Sequence, residues 1–414
     1  MASIVRPETI RRQNRSTVLA VLRTNGQMSR TKISQTTGLS AATVTAITAD
    51  LLTAGVLISL DDADQSPTPR GRPRIVLAFN PKFARVGVIA LQMNKITASI
   101  IDYCGTPICQ ATTELPTRNQ SSEQLLSAIS SVFERAINNG NGAIKHLMHI
   151  AVGVQGTTDV HNEDLLWSPI TRNKNIPISS YLAKKFDTTA SLHNDCNMIA
   201  CALRWKEPET YHSDFAAILL SHGIGMGLYQ NGQLVKGKYS SASEFGHMVH
   251  IPDGALCRCG RHGCIEAYAG DYAIIRRANR EDGKAIPHDD IRPHELEDVL
   301  VNARKNVPDA VAAYAEAGQA IGAGLASLYA LIDPFPVAFV GSGTRAHIFM
   351  DDAITKSIGN SQLGQLPIDT SIRFYPDETP MITDGCAITA LMAVDENIRT
   401  SKLMKKNKDL QDVG

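Results

Sequence analysis

With 414 residues, 43% of them hydrophobic and 20% charged, the chain is long enough for roughly three domains with sizeable cores, and its formal net charge of zero excludes a global attraction to nucleic acid or membrane. Arg6, Glu8, Arg11 and Arg12 stand where a signal peptide needs an apolar core, and the most apolar stretch, near Ile321 to Ile332, is too short to span a bilayer, so a cytoplasmic protein without membrane insertion is expected. Structural disulfides are disfavoured in that compartment, and eight cysteines with three of them inside residues 257–264 point to metal or redox chemistry at the cluster.

Positive charge is concentrated at one end. Residues 1–80 carry ten Lys and Arg against five Asp and Glu, leaving 31 against 36 in the rest, so a basic head precedes a mildly acidic body. A solvated basic face would account for the charge alone; a nucleic-acid-binding head would also explain the residue pattern. In "ETIRRQNRSTVLAVLRTNG", Ile10, Val18, Leu19, Val21 and Leu22 follow a helical spacing that stops at Asn25-Gly26. Ser29 and Gly38 bracket a short second helix, and Ser40 caps a third. On the third helix Val44, Ile47 and Leu51 share a core face, which turns Ala42, Thr43, Thr45 and Ala46 outward as the base-reading positions of a helix-turn-helix. Small Ala and Thr side chains let the backbone come close and meet thymine methyls, while Arg30, Lys32 and Ser40 suit phosphates.

The apolar runs "VLISL" and "RIVLAF" flank "DDADQSPTPRGRP" and read as the strands and turn of a wing. In "RGRPR", Arg70, Arg72 and Arg74 form either a basic linker or a hook for a narrow A·T-rich minor groove; the local charge favours the hook, and Asp61, Asp62 and Asp64 must then point away from DNA. From residue 81 strands and helices alternate. "ARVGVIAL", "ITASIID", "IAVGVQG", "DFAAILLS" and "PVAFVGSG" read as strands, and 121–138, 196–206 and 309–332 as helices, which is an α/β body. Two glycine-bearing strand-turn sets suit a duplicated, two-lobed fold.

"EFGHM" at 244–248 followed by "CRCGRHGCIEAYAG" at 257–270 resembles the Glu-x-Gly-His and Cys-x-Cys-Gly-x-x-Gly-Cys-x-Glu signature of the ROK family of repressors, open reading frames and sugar kinases. "LLSHGIGMGLYQNGQLVKG" is similar to that family's glycine-rich signature and "LHNDCNMIACA" to its Asn-Asp-x-Asn segment; the winged helix and Arg-Gly-Arg-Pro linker match its glucose, N-acetylglucosamine and xylose repressor branch. The resemblance spans essentially the whole chain. It implies a winged helix-turn-helix over 1–80 and a two-lobed actin-like ATPase (ribonuclease H-like) body, with a first lobe at 81–195 plus 381–414 and a second, carrying a zinc loop, at 196–380.

Chemistry agrees at the cysteines. Cys257, Cys259 and Cys264 with His247 supply four soft or borderline ligands, enough for one closed tetrahedral zinc site per chain. Redox pairing is the alternative, but a Cys-x-Cys disulfide is strained and leaves Cys264 over. Cys104, Cys109, Cys196, Cys201 and Cys386 lack such spacing and are expected as small buried hydrophobes. A metal knot would hold the backbone next to Glu266 and let His247 present its second ring nitrogen to a hydroxyl. Asn194, Asp195, Glu244, His247 and Glu266 form a carboxylate-rich set suited to sugar hydroxyls, and the resemblance assigns sugar contacts to the same positions. Singly, Asp195 or Glu244 would read as a helix cap or a surface charge.

Kinases of this family open the first lobe with an Asp-x-Gly-Gly-Thr turn at the ATP phosphates. Here "VGVIALQMNKITAS" puts Ala90, Leu91, Gln92 and Met93 there, without the glycines or the acidic residue, so phosphoryl transfer is expected to be lost and Asp195, the kinases' general base, to serve as a hydroxyl acceptor. "VQGTTDV" also departs from the family's sugar loop, keeping Gly156 and Asp159 but not Pro-Gly. The expectation is a non-enzymatic regulator, a repressor that binds double-stranded operator DNA as a homodimer or homotetramer and responds to a sugar or sugar-phosphate effector. The alternatives are a sugar kinase fused to a DNA-binding head, and a repressor controlled by a sugar-transport protein.

Overall fold

The structure is a computed structural model that describes residues 7–60, 75–140, 147–240, 243–288, 293–360 and 371–399. The chain opens with α1 (Pro7–Asn25), β1 (Met28–Ser29), α2 (Arg30–Thr37), α3 (Ala41–Thr53), β2 (Leu57–Leu60) and β3 (Val76–Phe79). The three strands pair antiparallel in the order β1-β3-β2. Ser29 Oγ accepts from the Lys32 amide, Gly38 ends α2 at φ +70°, and Ser40 Oγ accepts from the Thr43 amide; each satisfies a backbone group that the helix end leaves open. Val18, Leu19, Leu22, Ile33, Val44, Ile47 and Leu51 pack into one core. Ile10, in the same helical series, is 47% exposed, and burial along the described part of α1 begins at Arg15. The wing turn and Arg70, Arg72 and Arg74 lie outside the described residues, as do Asp61, Asp62 and Asp64.

The body begins with β4 (Arg85–Gln92), β5 (Lys95–Asp102), β6 (Pro107–Glu114), α4 (Ser122–Asn139), β7 (Leu147–Val154), β8 (Thr157–Thr158), β9 (Leu165–Trp167), α5 (Ile178–Lys185) and β10 (Thr189–Asn194). It continues through α6 (Asp195–Lys206), α7 (Pro208–Tyr211), β11 (Phe215–Leu220), β12 (Ile224–Gln230), β13 (Gln233–Leu234), α8 (Glu266–Ala269), α9 (Asp271–Ala278), α10 (Pro293–Arg304), α11 (Pro308–Ile332), β14 (Val337–Val340), α12 (Asp351–Gly359), β15 (Ile372–Tyr375) and α13 (Glu378–Arg399). The two five-stranded sheets run β10-β7-β4-β5-β6 and β13-β12-β11-β14-β15. Each is an antiparallel three-stranded meander whose first strand also pairs with a parallel strand, and that strand with another, so one topology occurs twice. β11 is apolar throughout and β4 is buried between its end residues Arg85 and Gln92, the pattern of central strands covered on both faces.

Two helices join the halves. α6 faces β11 and β12, α13 lies on β4 and β7, and the two cross each other. Gly385 permits that crossing: a Cβ there would collide with the Met198 carbonyl. Lys206 and Asp384 also pair across it. The head is clamped to α13 in turn. Arg23 of α1 makes two hydrogen bonds to Asp395, at 3.2 and 2.8 Å, and one to the Tyr103 carbonyl at 2.5 Å, while its guanidinium stacks on Phe79 and Tyr103. Among the described residues no helix is long and apolar enough to cross a membrane.

Candidate functional site

β7 and β10 end side by side, and the backbone that leaves them lines a narrow cleft of about 70 Å³ between the lobes. Asn194 caps α6: its Oδ1 accepts from the Asn197 amide at 3.0 Å and its Nδ2 donates to the Gly156 carbonyl at 2.9 Å. The next residue, Asp195, is 3% exposed and accepts from the Cys196 amide at 2.9 Å. Burial pushes its carboxyl up to about 7; the Cys196 hydrogen bonds oppose that rise and the nearby Glu378 charge adds to it. The second lobe contributes Glu244, His247 and Glu266 to the same cleft. All five residues read from the sequence as a polar set therefore meet in one place. Glu266 is buried at the start of α8, its Oε2 accepting from the Ile224 amide at 3.2 Å.

Behind Glu266 the ligand atoms of His247, Cys257, Cys259 and Cys264 lie within 4.8 Å of one another. Cys257 Sγ is 3.8 Å from His247 Nδ1, and Cys259 Sγ is 3.8 Å from Cys264 Sγ. Two sulfurs bound tetrahedrally at about 2.3 Å from zinc stand about 3.8 Å apart, so the donor set fits that ion, whereas a disulfide needs about 2.05 Å. The eight cysteines are all free thiols. Gly263 makes the loop possible, since at φ +81° a Cβ would strike the Ile251 carbonyl. His247 turns its other nitrogen, Nε2, to Glu244 at 4.0 Å, on the cleft side. Outside the cluster Cys196 and Cys386 are buried as expected, but Cys104 is exposed and Cys109 and Cys201 are partly so; Cys104 sits in the β5–β6 turn, its Sγ 3.4 Å from the Phe79 carbonyl.

Residues 88–377 match the ROK family. The chain belongs to the ROK family. A xylose repressor of Bacillus spizizenii is 24% identical over 360 residues, covering 86% of this chain and 89% of the relative. A glucokinase of Streptomyces coelicolor is 30% identical over 263 residues, covering 60% and 78%. The crystal structure of a ROK family transcriptional regulator, a homologue of the E. coli MLC protein, superposes with a TM-score of 0.78 over 96% of this chain and 99% of that one at 20% identity, a likeness of fold. The ROK body has the mixed α/β, actin-like ATPase-type fold.

In this ROK protein the end of β4 is tied by side chains to the start of α13. Gln92 Oε1 accepts from Thr379 Oγ1 at 2.9 Å, and Glu378 Oε1 lies 3.5 Å from Gln92 Nε2 and accepts from Ser221 Oγ at 3.3 Å. The cleft also holds residues the sequence reading passed over. Trp167, at the end of β9, stands edge-on to His247 with ring centroids 6.3 Å apart. It is one of two tryptophans, a composition signal that was present. Arg258, between two of the cysteines, donates to the His222 carbonyl at 2.9 Å and stacks on Tyr272. His222 pairs with Asp271 at 3.3 Å; burial works against its charge, but the hydrogen bond and charge of Asp271 outweigh burial and raise its pKa.

On the ROK head Ala42, Thr45 and Ala46 are exposed and Thr43 half-buried on one side of α3. Lys32 is exposed as well. Arg30 donates through Nε to Thr48 Oγ1 at 2.9 Å, which braces its guanidinium against α3, and Ser40 Oγ is engaged with the Thr43 amide and hydroxyl.

Proposed function

We propose that the protein is a sugar-responsive transcriptional repressor of carbohydrate uptake or catabolism genes, acting in the cytoplasm as a homodimer or homotetramer. A single winged helix reads too few bases for genomic specificity, and two-fold pairing on a pseudo-palindromic operator multiplies the discrimination. Ala42, Thr43, Thr45 and Ala46 would face base edges, Lys32, Arg30 and Ser40 the phosphates, and Arg70, Arg72 and Arg74 the minor groove. The effector would lie in the cleft, its hydroxyls on Asn194, Asp195, Glu244, His247 and Glu266, with Trp167 giving an apolar edge. His247, Cys257, Cys259 and Cys264 would hold a structural zinc, which when bound ties the Glu266 backbone and the His247 ring to one point.

The observation that carries this reading is the attachment of the head. α1 is bound by Arg23 and Asp395 to α13, which crosses α6, whose first residue is the cleft residue Asp195. A ligand that changes how α6 and α13 cross would bear on the placement of the head, and DNA would loosen the sugar by the same factor that sugar loosens DNA. The test is to capture genomic DNA fragments with the full chain, then add single sugars, amino sugars, polyols and their phosphates. Release by one of them, with a thermal shift from the same compound, is the expected result; no recovered DNA site would end this reading.

A kinase reading draws on the glucokinase relative and on Asp195, whose raised pKa suits a general base. Against it stands the Gln92 side chain, bonded to Thr379 where backbone amides would need to approach phosphate. A coupled ATP assay with the releasing sugar separates the two.

A further inference from the structure

On another face of α6, toward the far end of β12 from the polar cleft, lies a larger opening of about 760 Å³. Its charge is of the other sign. The polar cleft gathers Asp195, Glu244 and Glu266, whereas this one is bordered by Arg204 and Lys236. Neither cation is ion-paired among the described residues; Arg204 lies over the Tyr229 ring at 5.2 Å. Asp159, the acidic residue at the rim, has its carboxylate turned to the amides of His161, Glu163 and Asp164.

A buried polar side chain also opens onto this space. His193 is 7% exposed and borders it. Its Nε2 is 2.7 Å from Ser191 Oγ, which is 2.8 Å from His149 Nε2, and His149 Nδ1 reaches Thr189 Oγ1 at 2.7 Å. That chain uses one imidazole nitrogen of His193 and leaves Nδ1 without a partner among the described residues. Burial, helped by the charges of Lys236 and His149, lowers the His193 pKa to about 3, so the ring is neutral at physiological pH. A neutral imidazole in the same wall as Lys236 adds a hydrogen-bonding group without adding charge. The rest of the wall is largely apolar, including Met198, Trp205 and Met392.

We propose that this opening is a second ligand site, one that takes a small amphiphilic anion: an aromatic or aliphatic body against Met198, Trp205 and Met392, and a carboxylate, phosphate or sulfonate between Arg204 and Lys236. Its size suits a compact organic ligand, and cations free of carboxylate partners form charge-assisted hydrogen bonds to an anion. The site is placed to act on the rest of the molecule. Asn194 borders both openings, and Thr24, next to the clamp residue Arg23, lies on its edge. The proposal is independent of what occupies the polar cleft.

The test is fluorescence titration of the full chain with anilinonaphthalene sulfonate, an aromatic anion. One saturable site per chain is expected. The double variant Arg204→Gln, Lys236→Gln should weaken it at least tenfold with the thermal midpoint held, and Met392→Glu, which sets a carboxylate on the exposed side of α13, should do the same. Asp195→Asn, in the other cleft, should change the affinity less than twofold. Non-saturable binding, binding unchanged by both the double variant and Met392→Glu, or binding lost in Asp195→Asn would overturn the proposal.

Discussion

Thr157 of the first lobe donates from Oγ1 to Glu244 Oε1 of the second, 3.0 Å across the mouth of the polar cleft. The bond ties the lobes together through the same carboxylate that is proposed to take a sugar hydroxyl. Thr157→Val keeps the shape and removes the donor. A sugar that replaces this bond then has less to displace, so its affinity should rise about threefold to tenfold, in line with about 1 kcal/mol for one hydrogen bond. Glu244→Gln should instead weaken sugar at least tenfold. Titration calorimetry with the sugar found by thermal shift measures both.

The thiol and imidazole cluster predicts metal content. Protein purified without chelator should carry about one zinc per chain by elemental analysis. Cys259→Ser should lower that content and the thermal midpoint together, because metal affinity is part of the folding free energy of the loop. Metal-free wild-type protein would remove the basis of the zinc assignment.

Asp195 makes stability depend on pH. Its folded pKa, raised to about 7 chiefly by burial, lies above the unfolded value, so the folded state holds the proton more tightly. That contribution is fully present below about pH 4 and is lost as pH rises through about 7. Asp195→Asn removes the dependence and should gain on the wild type between pH 5 and 8, by no more than about 4 kcal/mol. Denaturant melts at the two pH values check the sign; a gap that narrows toward pH 8 would contradict it. The same variant should bind sugar more weakly while holding sugar-free DNA as before.

Arg23 and Asp395 are both largely buried, at 7% and 14% side-chain exposure. Asp395→Ala leaves a buried guanidinium without its carboxylate and should cost about 3–5 kcal/mol of head docking. Replacing both, as Arg23→Met with Asp395→Leu, should recover much of that stability. Arg23→Met with Asp395→Leu should still bind DNA but respond less to sugar, which a binding assay with and without sugar would register.

In the head, Lys32→Ala should weaken DNA binding across sequences and lower the salt slope by about one, as a phosphate contact does. Thr45→Ala should alter base preference within the half-site at nearly constant salt slope. A binding series in salt distinguishes the two.

Much of this protein is legible in local order. The caps at Ser29 and Ser40, the stop at Gly38 and the buried trio Val44, Ile47 and Leu51 follow from hydrogen bonding and periodicity within a few residues. The cysteine cluster is legible for the same reason, since its ligands lie within 18 positions from His247 to Cys264. Other features depend on distant segments being brought together. Arg23 and Asp395 are separated by 372 residues, Thr157 and Glu244 by 87, and nothing in either neighbourhood marks the partner. The raised pKa of Asp195 comes from burial where α6 begins between the lobes. Periodicity shows which face of a helix is apolar, but long-range closure sets what covers it. Ile10 shows the converse: its spacing is apolar and helical, yet among the described residues it stays 47% exposed.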